Sequence, residues 1–182
     1  MDILIVIALA IALVTATVTD IRNQRIYNWL TFPLILAGLA THTVFGGFAG
    51  LKFAAGGLAL GFVAMAIPYF FGVMGAGDVK LMAGIGAWLG VEATLVAFLF
   101  TCIAGGLYAL VVLAFNPHMF KTVLRNIAYT FLVFIGTRHF NFASADGQQT
   151  LPRLCYGVAI TVGTIGAMGI FAWESGSIFP GY

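Results

Sequence analysis

Charge is what this chain has least of. Its 182 residues include 8 Lys and Arg against 6 Asp and Glu, so 8% is charged and the formal net charge is +2. Cations this few, scattered between apolar runs, do not form the basic stripe that a phosphate backbone requires, and no nucleic-acid partner is expected. Cysteine is equally scarce. Cys102 and Cys155 stand far apart, and neither has a second cysteine at metal-binding spacing. A disulfide framework and a zinc site are both unsupported, so both residues read as small apolar packing groups, with no metal and no cofactor expected. There is no internal repeat, no low-complexity tract and no separate soluble domain, which leaves residues 1–182 as a single integral-membrane domain. No Lys or Arg precedes the first apolar run, whereas a secretory leader begins with positive charge. That run reads as a retained span.

Apolar residues are abundant. They make up 62% of the chain, and the mean hydropathy is +1.06. A domain of this size has too little interior to hide that much apolar surface, so its solvent is lipid. The expected fold is all-α, a polytopic membrane protein with six transmembrane helices plus an interfacial amphipathic helix. The spans fall at 3–19, 29–45, 53–73, a short fourth from 79 to about 89, 93–115 and 154–173. Residues 20–28 and 46–52 read as turns, and Pro68 is expected to kink the third span. Trp29 suits the interfacial belt. Gly90-Val91-Glu92 divides an apolar run too long to be one crossing. In the long connection 116–153, Phe120, Val123, Leu124, Ile127, Phe131 and Phe134 recur at helical spacing, with Lys121 and Arg125 on the other face. Such a helix lies along the interface. Residues 142–152 then form a polar loop.

Orientation follows from the cations. With both termini outside, the cytoplasmic segments collect Arg22, Arg25, Lys80, Lys121, Arg125, Arg138 and Arg153. Lys52, Asp2, Glu92 and Glu174 fall outside. Asp20 and Asp78 then share the cytoplasmic side. About 14 residues separate Asp78 from Glu92, or roughly 21 Å of helix against a hydrocarbon core of about 30 Å. With Glu92 at the outer interface, Asp78 sits below the inner one, in thinned bilayer or a wet recess.

A carboxylate at that depth costs several kcal/mol and is a functional hypothesis by default. Asp78 follows two glycines in Gly75-Ala76-Gly77-Asp78, which loosen the helix and let another backbone approach. Asp20 closes the first span. The helix dipole favours negative charge at Asp78, which begins a helix, and disfavours it at Asp20, which ends one. That split suits a pair acting on water, one carboxylate as base and one as acid. Because close carboxylates titrate as a pair, the assignment of Asp78 as base is a preference.

The same residues resemble a known family. Gly75-Ala76-Gly77-Asp78 matches the GxGD signature of intramembrane aspartyl proteases. Gly75 to Leu81, together with Asp20-Ile21-Arg22 and Ile26-Tyr27-Asn28-Trp29-Leu30-Thr31, resembles type IV prepilin peptidases. Tyr156-Gly157-Val158-Ala159-Ile160 resembles a later stretch of that family, so the similarity runs in order along nearly the whole chain. The length is similar to the small peptidases of tight-adherence (Flp-type) pilus systems. The resemblance implies an aspartyl endopeptidase of the bacterial inner membrane, with Asp20 and Asp78 catalytic. Its substrate would be a prepilin or pseudopilin, held with its apolar helix in membrane lipid and its basic leader in the cytoplasm. Gly75, Gly77 and Lys80 are the candidate substrate-binding residues. Larger members carry a cytoplasmic region with a four-cysteine zinc site and a methyltransferase activity; that region is missing here, and N-methylation is not expected. Two departures concern turn geometry: Tyr27 and Cys155 stand where the family commonly has proline.

Bland readings stand beside these. His42 reads as a polar contact inside the bundle, His118 and His139 as solvated groups, Glu92 as an interface marker, Lys80 mainly as an interfacial anchor, and Asn28 and Thr31 as caps of the second helix. Asp20 and Asp78 could instead pair with nearby cations. Two other function classes remain open. One is a proton-coupled transporter, against which stand the placement of both carboxylates on one face and the lack of repeated halves. The other is a non-catalytic assembly subunit of a pilus or secretion machine. The sequence leaves oligomeric state undetermined.

Overall fold

The computed structural model describes residues 2–70, 74–115 and 155–175. They form four α-helices: α1 (Asp2–Asn23), α2 (Asn28–Phe70), α3 (Ala76–Phe115) and α4 (Tyr156–Ser175). All four are long and apolar enough to cross a membrane. The protein is an all-helical, multi-pass membrane protein, as its composition requires, because a helix satisfies its own backbone where no water can. Residues 2–70, 74–105 and 155–175 belong to one compact unit; 106–115, the end of α3, belong to a second, 106–154. The connection 116–153, with its expected interfacial helix over 120–134 and polar loop over 142–152, lies outside the described residues, as do His118 and His139.

Two of the helices are too long to be straight crossings. α2 has 43 residues and α3 has 40, roughly 60 Å of helix each. One non-helical glycine interrupts each: Gly47 (φ 58°, ψ −138°) and Gly90 (φ 74°, ψ −175°). These dihedrals belong to glycine, because a Cβ would collide with the backbone. The chain doubles back at both. His42 and Phe53 flank Gly47 and have ring centroids 5.1 Å apart, where an unbroken helix would separate them by roughly 16 Å. Around Gly90, Gly77 lies against Ile26 while Gly105 returns to Tyr156, next to the residue that bonds Asp20.

Several expected boundaries move. The turn expected over 46–52 contracts to Gly47; Phe48 to Lys52 are helical, and Lys52 Nζ lies 4.8 Å from the Phe48 ring centroid. Both Pro33 and Pro68 lie within the helix, and Gly47 is its non-helical residue. Proline removes one backbone bond but keeps a helical φ, whereas the reversal needs a positive φ. The turn expected over 20–28 shortens to 24–27. α1 runs to Asn23 and ends on Gln24, at φ 48°, whose N–H donates to the Asp20 carbonyl at 2.8 Å.

The stretch of α3 before Gly90 is the axis of the unit. Residues 81–90 are buried without exception, which marks a helix enclosed on every side. Both arms of α2 lie against it. Gly84 meets Leu34 and Ile35, Gly61 meets Met82, and Gly57 crosses Gly86 so closely that a Cβ on either would strike the other's carbonyl oxygen. Small residues let backbones approach in this way where lipid removes the usual hydrophobic drive between helices. Polar contacts fix the register. His42 Nε2 lies 3.2 Å from the Trp88 carbonyl oxygen, and Trp88 Nε1 donates to the Leu34 carbonyl at 2.9 Å. On α1 the pattern of a soluble helix is inverted: Leu9, Ala12 and Ala16 are buried, while Ile7, Ile11, Val14 and Val18 face outward.

Candidate active site

Three element ends meet at one end of the unit: the last turn of α1, the first turn of α3 and the first turn of α4. α3 begins on Gly75, whose carbonyl accepts the Asp78 N–H at 3.1 Å. The Asp78 side chain reaches back, and its Oδ2 accepts the Gly75 N–H at 2.9 Å. This is the carboxylate half of a capping box, so Asp78 orders the glycine break that precedes it. A side chain on Gly75 would lie 3.4 Å from Asp78 Oδ2. At Gly77 the space a side chain would fill is taken by Ile26, whose carbonyl oxygen lies 2.8 Å from an ideal Cβ. The glycine docks the 24–27 turn onto the start of α3, drawing the end of α1 towards Asp78.

Asp20 is held from the far end of the chain. Its Oδ2 accepts the Gly157 N–H at 2.8 Å, and its carbonyl oxygen lies 3.8 Å from Cys155 Sγ. One turn away, Thr17 and Thr161 share a hydroxyl hydrogen bond at 2.8 Å, and Thr161 also donates to the Gly157 carbonyl at 2.9 Å. Two polar contacts a turn apart lock α1 against α4; each such interhelical bond is worth about 0.6–2 kcal/mol in a membrane.

Both carboxylates are buried, Asp20 at 6% exposure and Asp78 at 8%. Among the described residues neither forms an ion pair; each has one oxygen bonded to a backbone N–H and the other without a donor. The charge of Asp20 acts on Asp78. Both act on Cys155, just before α4: burial first, then Asp20 and Asp78, raise its thiol above the ordinary range. Residues 58 positions apart in sequence thus lie near enough for the charge of one to act on the other. The dipole argument changes with this geometry. Asp20 ends α1 but also sits at the N-terminus of α4, so both aspartates face a positive helix end. Nothing in the dipoles now divides base from acid.

Lys80 stands apart from the carboxylates. Its Nζ donates to Asn28 Oδ1 at 2.9 Å and lies 5.2 Å from the Phe32 ring centroid. The expected caps of α2 differ too. Tyr27 supplies the carbonyl that accepts the Leu30 and Thr31 N–H groups, Asn28 is engaged by Lys80, and Thr31 bonds back to the Asn28 carbonyl. Among the described residues no group of three or more His, Cys, Asp or Glu could hold a metal ion. Gly157 was not among the candidate site residues; the signal for it lay in the Tyr156-Gly157 pair opening the last helix.

Comparison with known proteins places the chain in a family. A model of the type IV leader peptidase family matches residues 7–110, over half of the chain. The match includes Asp20 and Asp78 and stops short of the Tyr156 to Ile160 stretch. A prepilin leader peptidase/N-methyltransferase from Burkholderia pseudomallei is 34% identical over 110 residues, 57% of this chain and 35% of that protein. Proteins of the same name from Aeromonas salmonicida and Aeromonas hydrophila are 31% and 32% identical over 119 residues, 61% of this chain in each case. The match spans 40% and 41% of their respective lengths, so the chain covers about two fifths of its relatives at most. No solved structure matches the chain.

Proposed function

The chain belongs to the type IV leader peptidase family, and on that premise we propose that it is an aspartyl endopeptidase that removes the leader of type IV prepilins of the Flp-like class. The observation that carries this reading is the pair Asp20 and Asp78, both buried, near enough for the charge of one to act on the other, without a cation partner among the described residues, and each pinned through Oδ2 to a backbone N–H. Pinning one oxygen fixes the carboxylate plane and leaves the other oxygen to meet water or a peptide carbonyl. The unprotonated member of the pair takes a proton from water, and the oxygen attacks the scissile carbonyl carbon. The protonated member donates to the carbonyl oxygen, and collapse of the tetrahedral adduct expels the amine, which takes a proton as it leaves. The reading includes hydrolysis alone, without methyl transfer.

In the same reading the glycine breaks at Gly47 and Gly90 turn four long helices into six spans, with Asp20 and Asp78 at the cytoplasmic face of the bacterial inner membrane. The prepilin helix lies in lipid, its basic leader lies in the cytoplasm, and the scissile bond unwinds at the height of the carboxylates. Gly75, Gly77 and Lys80 are the proposed substrate contacts, Lys80 through its exposed hydrogen bond to Asn28.

The test is purified Asp20→Asn and Asp78→Asn protein in proteoliposomes with a prepilin carrying its leader. Each variant is expected to insert and fold while cleavage falls by about 10³-fold or more. Full processing by either verified variant overturns the dyad and assigns the aspartates to an assembly subunit instead.

A further inference from the structure

We propose that Gly157 is a positioning residue for Asp20, so that the first turn of α4 sets the geometry of a carboxylate more than 130 positions earlier. The inference rests on the reading of Asp20 as a reacting group. Gly157 is the second residue of α4, where a backbone N–H has no acceptor within its own helix. The neighbouring amide is already used, since the Val158 N–H donates to the Cys155 carbonyl at 3.3 Å. The Gly157 N–H donates to Asp20 Oδ2 at 2.8 Å. Glycine is needed as well as an amide. An ideal Cβ at 157 would lie 2.9 Å from Asp20 Oδ2, 3.0 Å from its Cβ and 3.2 Å from its Cγ. Any side chain there pushes the carboxylate off its donor. The Thr17 and Thr161 contact holds the two helices in the register that lets this bond form.

The substitution that separates positioning from folding is Gly157→Ala, beside Gly169→Ala on the same helix, where nothing lies within 4 Å of an added Cβ. Gly157→Ala is expected to lower kcat by about 10- to 100-fold, the effect of displacing a reacting group by about 1 Å, with KM within about twofold. Gly169→Ala is expected to match the wild type. An unchanged kcat in Gly157→Ala, or a change confined to KM, overturns the proposal. Where Gly157→Ala fails to insert, hydrogen exchange over residues 155–160 decides instead, comparing wild type with Asp20→Ala. Exchange at the Gly157 amide should speed up by about tenfold or more once its acceptor is gone, and an unchanged rate overturns the proposal. Full processing by Asp20→Asn sinks the peptidase dyad and leaves the exchange result standing. Inactive Asp20→Asn beside a fully active Gly157→Ala sinks the positioning role alone.

Discussion

At the scale of single residues, Cys155 is a reporter for the two carboxylates. Its thiol is held above the ordinary range by burial and by the charges of Asp20 and Asp78. A thiol with a raised pKa is mostly protonated at neutral pH, and only the thiolate is alkylated. In a Cys102→Ser background, which removes the exposed second thiol, alkylation at neutral pH should be slow and should accelerate as pH rises. Asp20→Asn and Asp78→Asn each remove a negative neighbour and lower the thiol pKa, so each should speed alkylation; a drop of one unit gives about tenfold more thiolate. A rate untouched by both substitutions would separate Cys155 from the aspartates. The sequence could not have supplied this, because its apolar surroundings made Cys155 look like packing. Nor could it show that Asp20 has a second helix end beside it, since that end comes from residue 157.

Among the elements, the buried stretch of α3 makes the fold most sensitive to volume. Gly86→Val puts a branched side chain against the Gly57 carbonyl and should cost about 1–3 kcal/mol or more, read as a lower Tm of the detergent-solubilised protein. Gly47→Ala has open space around it, yet its positive φ should still cost about 1–3 kcal/mol. That contrast separates crowding from backbone strain. The sequence was legible here to the extent that its physics is local. Apolar run length marked the helices, and Gly90 marked one reversal. It placed the reversal in α2 within 46–52 but gave it seven residues, where one glycine suffices. It divided the long apolar run at Gly90 but had no means of showing that both arms of α2 close around the part of α3 before it, since that depends on glycines more than 25 positions apart.

For the whole molecule, the two ends of the unit differ in chemistry. Lys52 and the Gly90 break lie at one end, with Phe53 against Gly90. Asp20, the 24–27 turn, Lys80 and Cys155 lie at the other. With the proposed orientation, a cysteine at Lys52 should react with an impermeant maleimide on intact cells, while cysteines at Arg25 and Gly147 should react only after permeabilisation. The opposite pattern reverses the topology. The expected orientation rests on hydropathy and cation placement, both sums over many residues. The convergence at Asp20 was not, because it depends on which helix ends touch.

The contact between Asp20 and the start of α4 also has a consequence in time. The ribosome releases both aspartates early, but the amide that holds Asp20 comes from residue 157. A nascent chain with α1, α2 and α3 already in the bilayer therefore holds two acids and no finished site. On the proposed reading, the pinned geometry of Asp20 is completed only when α4, the last of the described helices, has inserted.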